Sequence, residues 1–105
     1  METFAALADP VRRQIVGMLA EGERTAGEIA DRFEITRPAI SRHLKILREA
    51  GLAKVRGDAQ RRIYALQPAK LSELERWAAD QRRVWEGRLD RLGERLDWME
   101  KQEER

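Results

Sequence analysis

Residues 36–51, Thr-Arg-Pro-Ala-Ile-Ser-Arg-His-Leu-Lys-Ile-Leu-Arg-Glu-Ala-Gly, constrain the fold more than any other stretch because both ends of a helix are written into them. Thr36 can cap the first turn, and Pro38 is tolerated there because its missing N–H would have no intrahelical partner. Gly51 can take the left-handed stop. At about 100° per residue, Ile40, Leu44 and Leu47 share one stripe, with His43 and Ala50 along its edge. The opposite arc holds Pro38, Arg42, Lys45 and Glu49, flanked by Ser41. Such a helix can be an ordinary amphipathic surface element. It also has the dimensions and the cationic front needed to enter a major groove.

The preceding residues favour the second reading. Thr25-Ala26-Gly27-Glu28 fits a capping box that opens a helix over 26–33, which leaves only Glu34-Ile35-Thr36 before the next helix. Ile29, Ala30, Phe33, Ile35 and Ile40 are spaced to lock the two inner faces, which predicts a helix-turn-helix. Glu34 holds the turn position where glycine is usual, and a left-handed backbone there would cost about 1 to 2 kcal/mol. Upstream, Asp9-Pro10 opens a helix ended by Gly22, with Val11, Ile15, Met18 and Leu19 at core spacing. Arg12 and Arg13 lie off that stripe and are expected to be solvated. Residues 3–8 predict a short helix offering Phe4 and Leu7, marginal unless it packs on something.

Downstream of Gly51, residues 52–56 and 61–66 are rich in strand formers and flank Gly57-Asp58-Ala59-Gln60, which predicts a hairpin. Arg56, Gln60, Arg61 and Arg62 lie at or near its tip. Those arginines can be a solvated edge or a wing that touches phosphate. Charge supports the wing: net −3 over residues 1–36, +6 over 37–62 and −1 over 63–105, although the whole chain is only +2. A basic middle between acidic flanks suits one face meeting a polyanion.

Pro68 precedes the longest periodic run, 69–100. Leu71, Leu74, Ala78, Gln81, Trp85, Leu89, Leu92, Leu96 and Met99 recur every 3 or 4 residues, along a helix that would reach about 45 Å by Met99. A single 105-residue domain cannot cover so long a stripe, which therefore calls for a second copy, with Phe4 and Leu7 joining the interface. Folding back onto its own core is the competing arrangement. Gly87 and Gly93 each weaken this helix by about 1 kcal/mol relative to alanine. Trp98 lies off the stripe, facing solvent or a partner subunit.

Three segments resemble the winged helix-turn-helix repressors of the ArsR/SmtB family: Asp9-Pro10-Val11-Arg12-Arg13-Gln14-Ile15, then Ser41 to Leu52, then Arg62-Ile63-Tyr64-Ala65-Leu66. The resemblance implies a mainly α fold with a small β-hairpin. It also implies a DNA-binding core over 9–66, flanked by dimerisation helices at 3–8 and 69–100. It further implies a homodimer on double-stranded operator DNA with inverted half-sites. By position, Pro38, Ala39, Ser41 and Arg42 fall where the family's recognition helix meets base edges, and the Arg61 region falls on its wing. The full candidate DNA set is Thr36, Arg37, Pro38, Ala39, Ser41, Arg42, His43, Lys45, Arg56, Gln60, Arg61 and Arg62; for His43, phosphate contact and buttressing of the helix both stay open. The candidate interface is Phe4, Leu7, Leu71, Leu74, Ala78, Trp85, Leu89 and Leu92.

Better-known members of that family sense metals through thiolates on the helix before the turn, or through His and carboxylate clusters on the last helix. Here the helix before the turn reads Glu28-Ile29-Ala30-Asp31-Arg32-Phe33; the chain has no cysteine and a single histidine. Neither soft-metal sensing nor any cofactor is expected. Whether a small-molecule effector is sensed stays open. Catalysis is not expected either: serine occurs only at 41 and 72, and Ser41 and His43 lie about 200° apart on one helix. With no secretion signal at Met1-Glu2-Thr3 and no apolar run of roughly 20 residues, a cytoplasmic location away from any membrane is expected. The alternative to a repressor is a protein-interaction adaptor that keeps the fold and uses the long helix to bind another protein.

Overall fold

The computed structural model describes residues 2–103. Its elements are α1 (Glu2–Leu7), α2 (Pro10–Glu21), β1 (Arg24–Thr25), α3 (Ala26–Ala30), α4 (Arg37–Glu49), β2 (Ala53–Asp58), β3 (Arg61–Leu66) and α5 (Ala69–Glu103). The chain divides into two compact units, Met1–Ser72 and Glu73–Arg105, with the boundary inside the first turns of α5.

In the first unit, the buried side chains come from every layer: Ala6 of α1, Ile15 and Leu19 of α2, Ile29 of α3, Ile40, Leu44 and Leu47 of α4, then Leu52, Ala53 and Tyr64. The helix-turn-helix pair is thus bound to the sheet through the α4 stripe read from its spacing. Removing such a fully buried leucine costs about 2 to 5 kcal/mol, so these three residues fix how α4 sits. The three strands order as β1-β3-β2, all antiparallel.

The helix starts form as their sequences demand. Asp9 caps α2 by accepting the Arg12 backbone N–H at 3.0 Å. Thr25 and Glu28 complete the capping box, the Glu28 N–H donating to Thr25 Oγ1 at 3.2 Å and the Thr25 N–H to Glu28 Oε1 at 3.1 Å. Thr36 caps α4 by accepting the Ala39 N–H at 3.3 Å. The Asp9 carboxyl is held below the usual carboxylate range by the Arg12 backbone N–H, and Glu28 by the Thr25 N–H and hydroxyl. Groups depressed in the fold stabilise it above their unfolded pKa and lose that contribution as pH falls through the folded value. The melting temperature is therefore expected to fall as pH drops from 5 to 3, less steeply in Glu28→Gln; a flat profile in thermal melts contradicts this.

Three local expectations need correction. The helix over 26–33 stops at Ala30, because the Arg32 and Phe33 amides bond back three residues, to Ile29 and Ala30 carbonyls. That tightening ends α3 and leaves a turn over 31–36 instead of three residues, with Phe33 packing on the core from the turn. Glu34 consequently carries no left-handed strain; Ala59 is the one described non-glycine residue with positive φ. Finally, Arg12 and Arg13 are not merely solvated. Arg12 donates to the Ala6 carbonyl through Nε at 2.6 Å and to Ala5 through Nη2 at 3.2 Å, and Arg13 Nη1 donates to Leu7 and Ala8 carbonyls at 2.8 and 3.1 Å. These four carbonyls lie at or just past the C-terminal end of α1, where helical donors run out and, among the described residues, only Ala5 also accepts a backbone N–H, from Ala8 at 3.3 Å, so the arginines dock that short helix on α2.

The hairpin also pairs further than expected. β2 runs to Asp58, Gly57 faces Arg62 in the ladder, and the turn is only Ala59-Gln60. Its single positive φ, 58° at Ala59, falls on the first turn position, where glycine is the favoured residue. Ala59→Gly is expected to relieve up to about 1 kcal/mol and raise the melting temperature by a few degrees. An unchanged or lower value would show that the turn is unstrained.

In the second unit α5 continues through Gly87 and Gly93 to Glu103 as one helix. Trp85, Leu89 and Leu92 are 58%, 48% and 51% exposed, and Leu96 and Met99 are similarly open. Among the described residues no helix is long and apolar enough to cross a membrane.

Candidate nucleic-acid interface

Arg37, Pro38, Ser41, Arg42 and Lys45 are exposed along α4, opposite its buried stripe, and Ala39 is half-buried. Because the helix is capped at Thr36 and its back is locked by Ile40, Leu44 and Leu47, this face is presented rigidly. Lys45 stands 4.0 Å from Glu49 one turn on, a loose exposed pair, while Arg42 has no ion-pair partner among the described residues. Such a pair contributes about 0 to 1 kcal/mol, so a phosphate or base edge can displace it. Thr36 spends its hydroxyl oxygen on the cap and keeps its hydroxyl proton to donate.

His43 does not share that face. Half-buried, it turns toward α2, with Nδ1 3.2 Å from Arg12 Nη1 and 3.9 Å from Asp9 Oδ2. Arginine can only donate, so in this contact Nδ1 accepts. Of the two readings left open for this residue, the geometry favours the buttress: Arg12 ties the end of α1, the start of α2 and the middle of α4 into one cluster.

At the hairpin two of the three arginines already hold carboxylates. Arg56 Nη2 donates to Glu23 Oε2 at 3.0 Å, and Arg61 Nη2 to Asp58 Oδ2 at 2.7 Å. Arg62 is exposed and makes no ion pair among the described residues, and Gln60 is exposed in the turn. The sequence showed a cluster of cations; the structure shows that their acids come from β2 itself and from Glu23, just before β1. Sequence reasoning passed over Arg48 of α4 and Tyr64 of β3, which line one recess; helical spacing puts Arg48 about 120° round α4 from Arg42.

For the dimerisation set, Leu7 and Leu71 are partly buried against the core of the first unit, and Phe4 and Leu74 are half-buried. Ala78, Trp85, Leu89 and Leu92 are exposed. Among the described residues no three His, Cys, Asp or Glu side chains gather as metal ligands would.

Comparison with known proteins gives a consistent result. Residues 9–55 match the model of the arsR family of bacterial regulatory proteins. The chain is 40% identical over 94 residues to the HTH-type transcriptional regulator Rv2034 of Mycobacterium tuberculosis, spanning 90% of this chain and 85% of the relative. It is 39% identical over 74 residues to the transcriptional repressor SdpR of Bacillus subtilis, spanning 70% and 82%. The crystal structure of an ArsR family transcriptional regulator superposes with a TM-score of 0.77 at 32% identity, over 81% of this chain and 88% of that one.

Proposed function

The chain belongs to the ArsR family of bacterial regulatory proteins and is a DNA-binding transcription regulator rather than an enzyme, and on that premise we propose that it is a homodimeric repressor of operators with inverted half-sites. The observation that carries this reading is the exposed face of α4: Ser41, Arg42 and Lys45 project from a helix whose back is fully buried. Arg42 is assigned the base contact, since its planar fork can bond guanine O6 and N7 together. Thr36, Arg37, Pro38, Ala39, Ser41 and Lys45 line the groove around it. Arg62 and Gln60 reach the backbone first, and Arg56 and Arg61 join by exchanging their carboxylates for phosphate. His43 positions α4 instead of touching DNA.

The second copy is called for by α5. Trp85, Leu89 and Leu92 expose apolar surface that a lone chain leaves in water, and each leucine buried in a dimer contributes about 1.5 to 3 kcal/mol. We assign Leu74, Ala78, Trp85, Leu89 and Leu92 of α5, and separately the half-buried Phe4 of α1, to contacts with the second copy. Leu7 and Leu71 are given a smaller part, since their own core already covers them in part. Repression follows when the bound dimer occludes a promoter, in the cytoplasm where the DNA is. Soft-metal regulation has no place in the proposal, because the chain offers neither cysteine nor a second histidine.

A dimer making on the order of 8 phosphate contacts should show a slope near −7 for log K against log salt concentration. Fluorescence anisotropy on an operator fragment measures it. A slope shallower than −2 would mean that the cations of α4 and the wing do not meet the backbone.

A further inference from the structure

A cavity of about 320 Å³ opens between α3, α4 and β3, beside the outward face of α4, and Arg37, Ser41, Lys45, Arg48, Arg62 and Tyr64 line it. On α4 the residues at 37, 41, 45 and 48 fall within about 80° of arc, between the buried stripe and the face that carries Arg42. No acidic side chain lines the recess. Lys45 has only its loose contact with Glu49, and the three arginines form no ion pair among the described residues. Tyr64 is only 5% exposed, yet its hydroxyl has no hydrogen-bond partner among the described residues. Since no fully buried side-chain polar atom is left unpaired, that hydroxyl keeps some contact with solvent, and Tyr64 is part of the wall of the recess.

We infer that this cavity is a binding site for a small free phosphate compound, and that its occupation opposes DNA binding. Three guanidinium groups with no ion pair among the described residues, and the Lys45 ammonium held only by its loose contact with Glu49, line one recess and suit an anion of more than one charge, and the fork geometry matches phosphate oxygens. The volume lies at the lower end of the roughly 300–1,000 Å³ typical of small-molecule sites, enough for one or two phosphate groups. The duplex docks on the outward face of α4, whereas a free ion enters the recess between α3, α4 and β3, of which Tyr64 is a wall. Once there, it holds Ser41 and Lys45, which the DNA face also needs.

The test uses inorganic pyrophosphate as probe and the full chain, with sodium chloride matched for ionic strength as control. Amide shifts at positions 41, 48 and 64 should saturate with pyrophosphate and not with chloride. Affinity should fall about fivefold in Tyr64→Phe and at least about tenfold in Arg48→Ala, while Arg91→Ala on α5 leaves it unchanged. A non-saturating response, or equal affinity in all three variants, overturns the site. The second arm rests on the DNA reading: pyrophosphate at saturation should weaken operator binding of the wild type at least fivefold more than that of Arg48→Ala. Saturable binding without that difference overturns the antagonism, and the first arm decides the site even if no operator is found.

Discussion

Arg42→Ala is expected to lower operator affinity by a factor between about 30 and 10⁴. A bidentate arginine–guanine contact discriminates by about 1 to 3 kcal/mol, and a dimer loses two of them. The fold should be untouched, because Arg42 is exposed and the helix is held from its other side by Ile40, Leu44 and Leu47. Loss of affinity should come with loss of preference for the operator over bulk DNA, because a base contact carries sequence information that a phosphate contact does not. Lys45→Ala is the internal comparison: it should weaken both kinds of DNA alike and flatten the salt slope by about 2 for the two copies. A pure adaptor would bind its protein partner equally well with both residues replaced, so the pair of variants also separates the two functional readings.

The second large effect concerns α5. Leu89→Glu or Leu92→Glu places a charge in the middle of the proposed interface, where it would have to be buried without a partner at a cost of several kcal/mol. Light scattering is expected to give twice the chain mass for the wild type and the single mass for either variant at micromolar concentration. Operator affinity should fall by a factor of about 10² to 10⁴, since the second α4 no longer arrives tethered to the first. Circular dichroism should still show a folded first unit, because its core lies within residues 2–72 and includes neither leucine. Retention of the double mass would move the interface elsewhere.

What the sequence made legible was local. Asp9, Thr25, Thr36 and Gly51 act on amides or carbonyls within a turn of themselves, so the starts of α2, α3 and α4 and the left-handed exit from α4 could be read from neighbouring letters. The buried stripe of α4 was equally plain, because helical periodicity alone generates it. What escaped reading depends on distant segments. A two-residue strand such as β1 has no periodicity, and exists only because Arg24 and Thr25 meet Tyr64 and Ile63 across the sheet. Arg12 and Arg13 looked solvated because their acceptors are carbonyls on another helix, which no spacing rule displays. The hairpin tip was misplaced for a related reason: glycine marked Gly57 as the turn, whereas the ladder continued to Asp58 and Arg61 and forced the positive φ onto Ala59. At the candidate site, exposure of Arg42 and Lys45 followed from helix geometry, but the pairing of Arg56 with Glu23 required the fold.

Hydroxyl-radical footprinting of the purified protein on the DNA upstream of its own coding region tests the central claim, that two copies present paired α4 helices to successive grooves. The expected pattern is two protected patches about ten base pairs apart, related by a dyad and lost together in Arg42→Ala. A single patch, or protection no stronger than on competitor DNA, contradicts it.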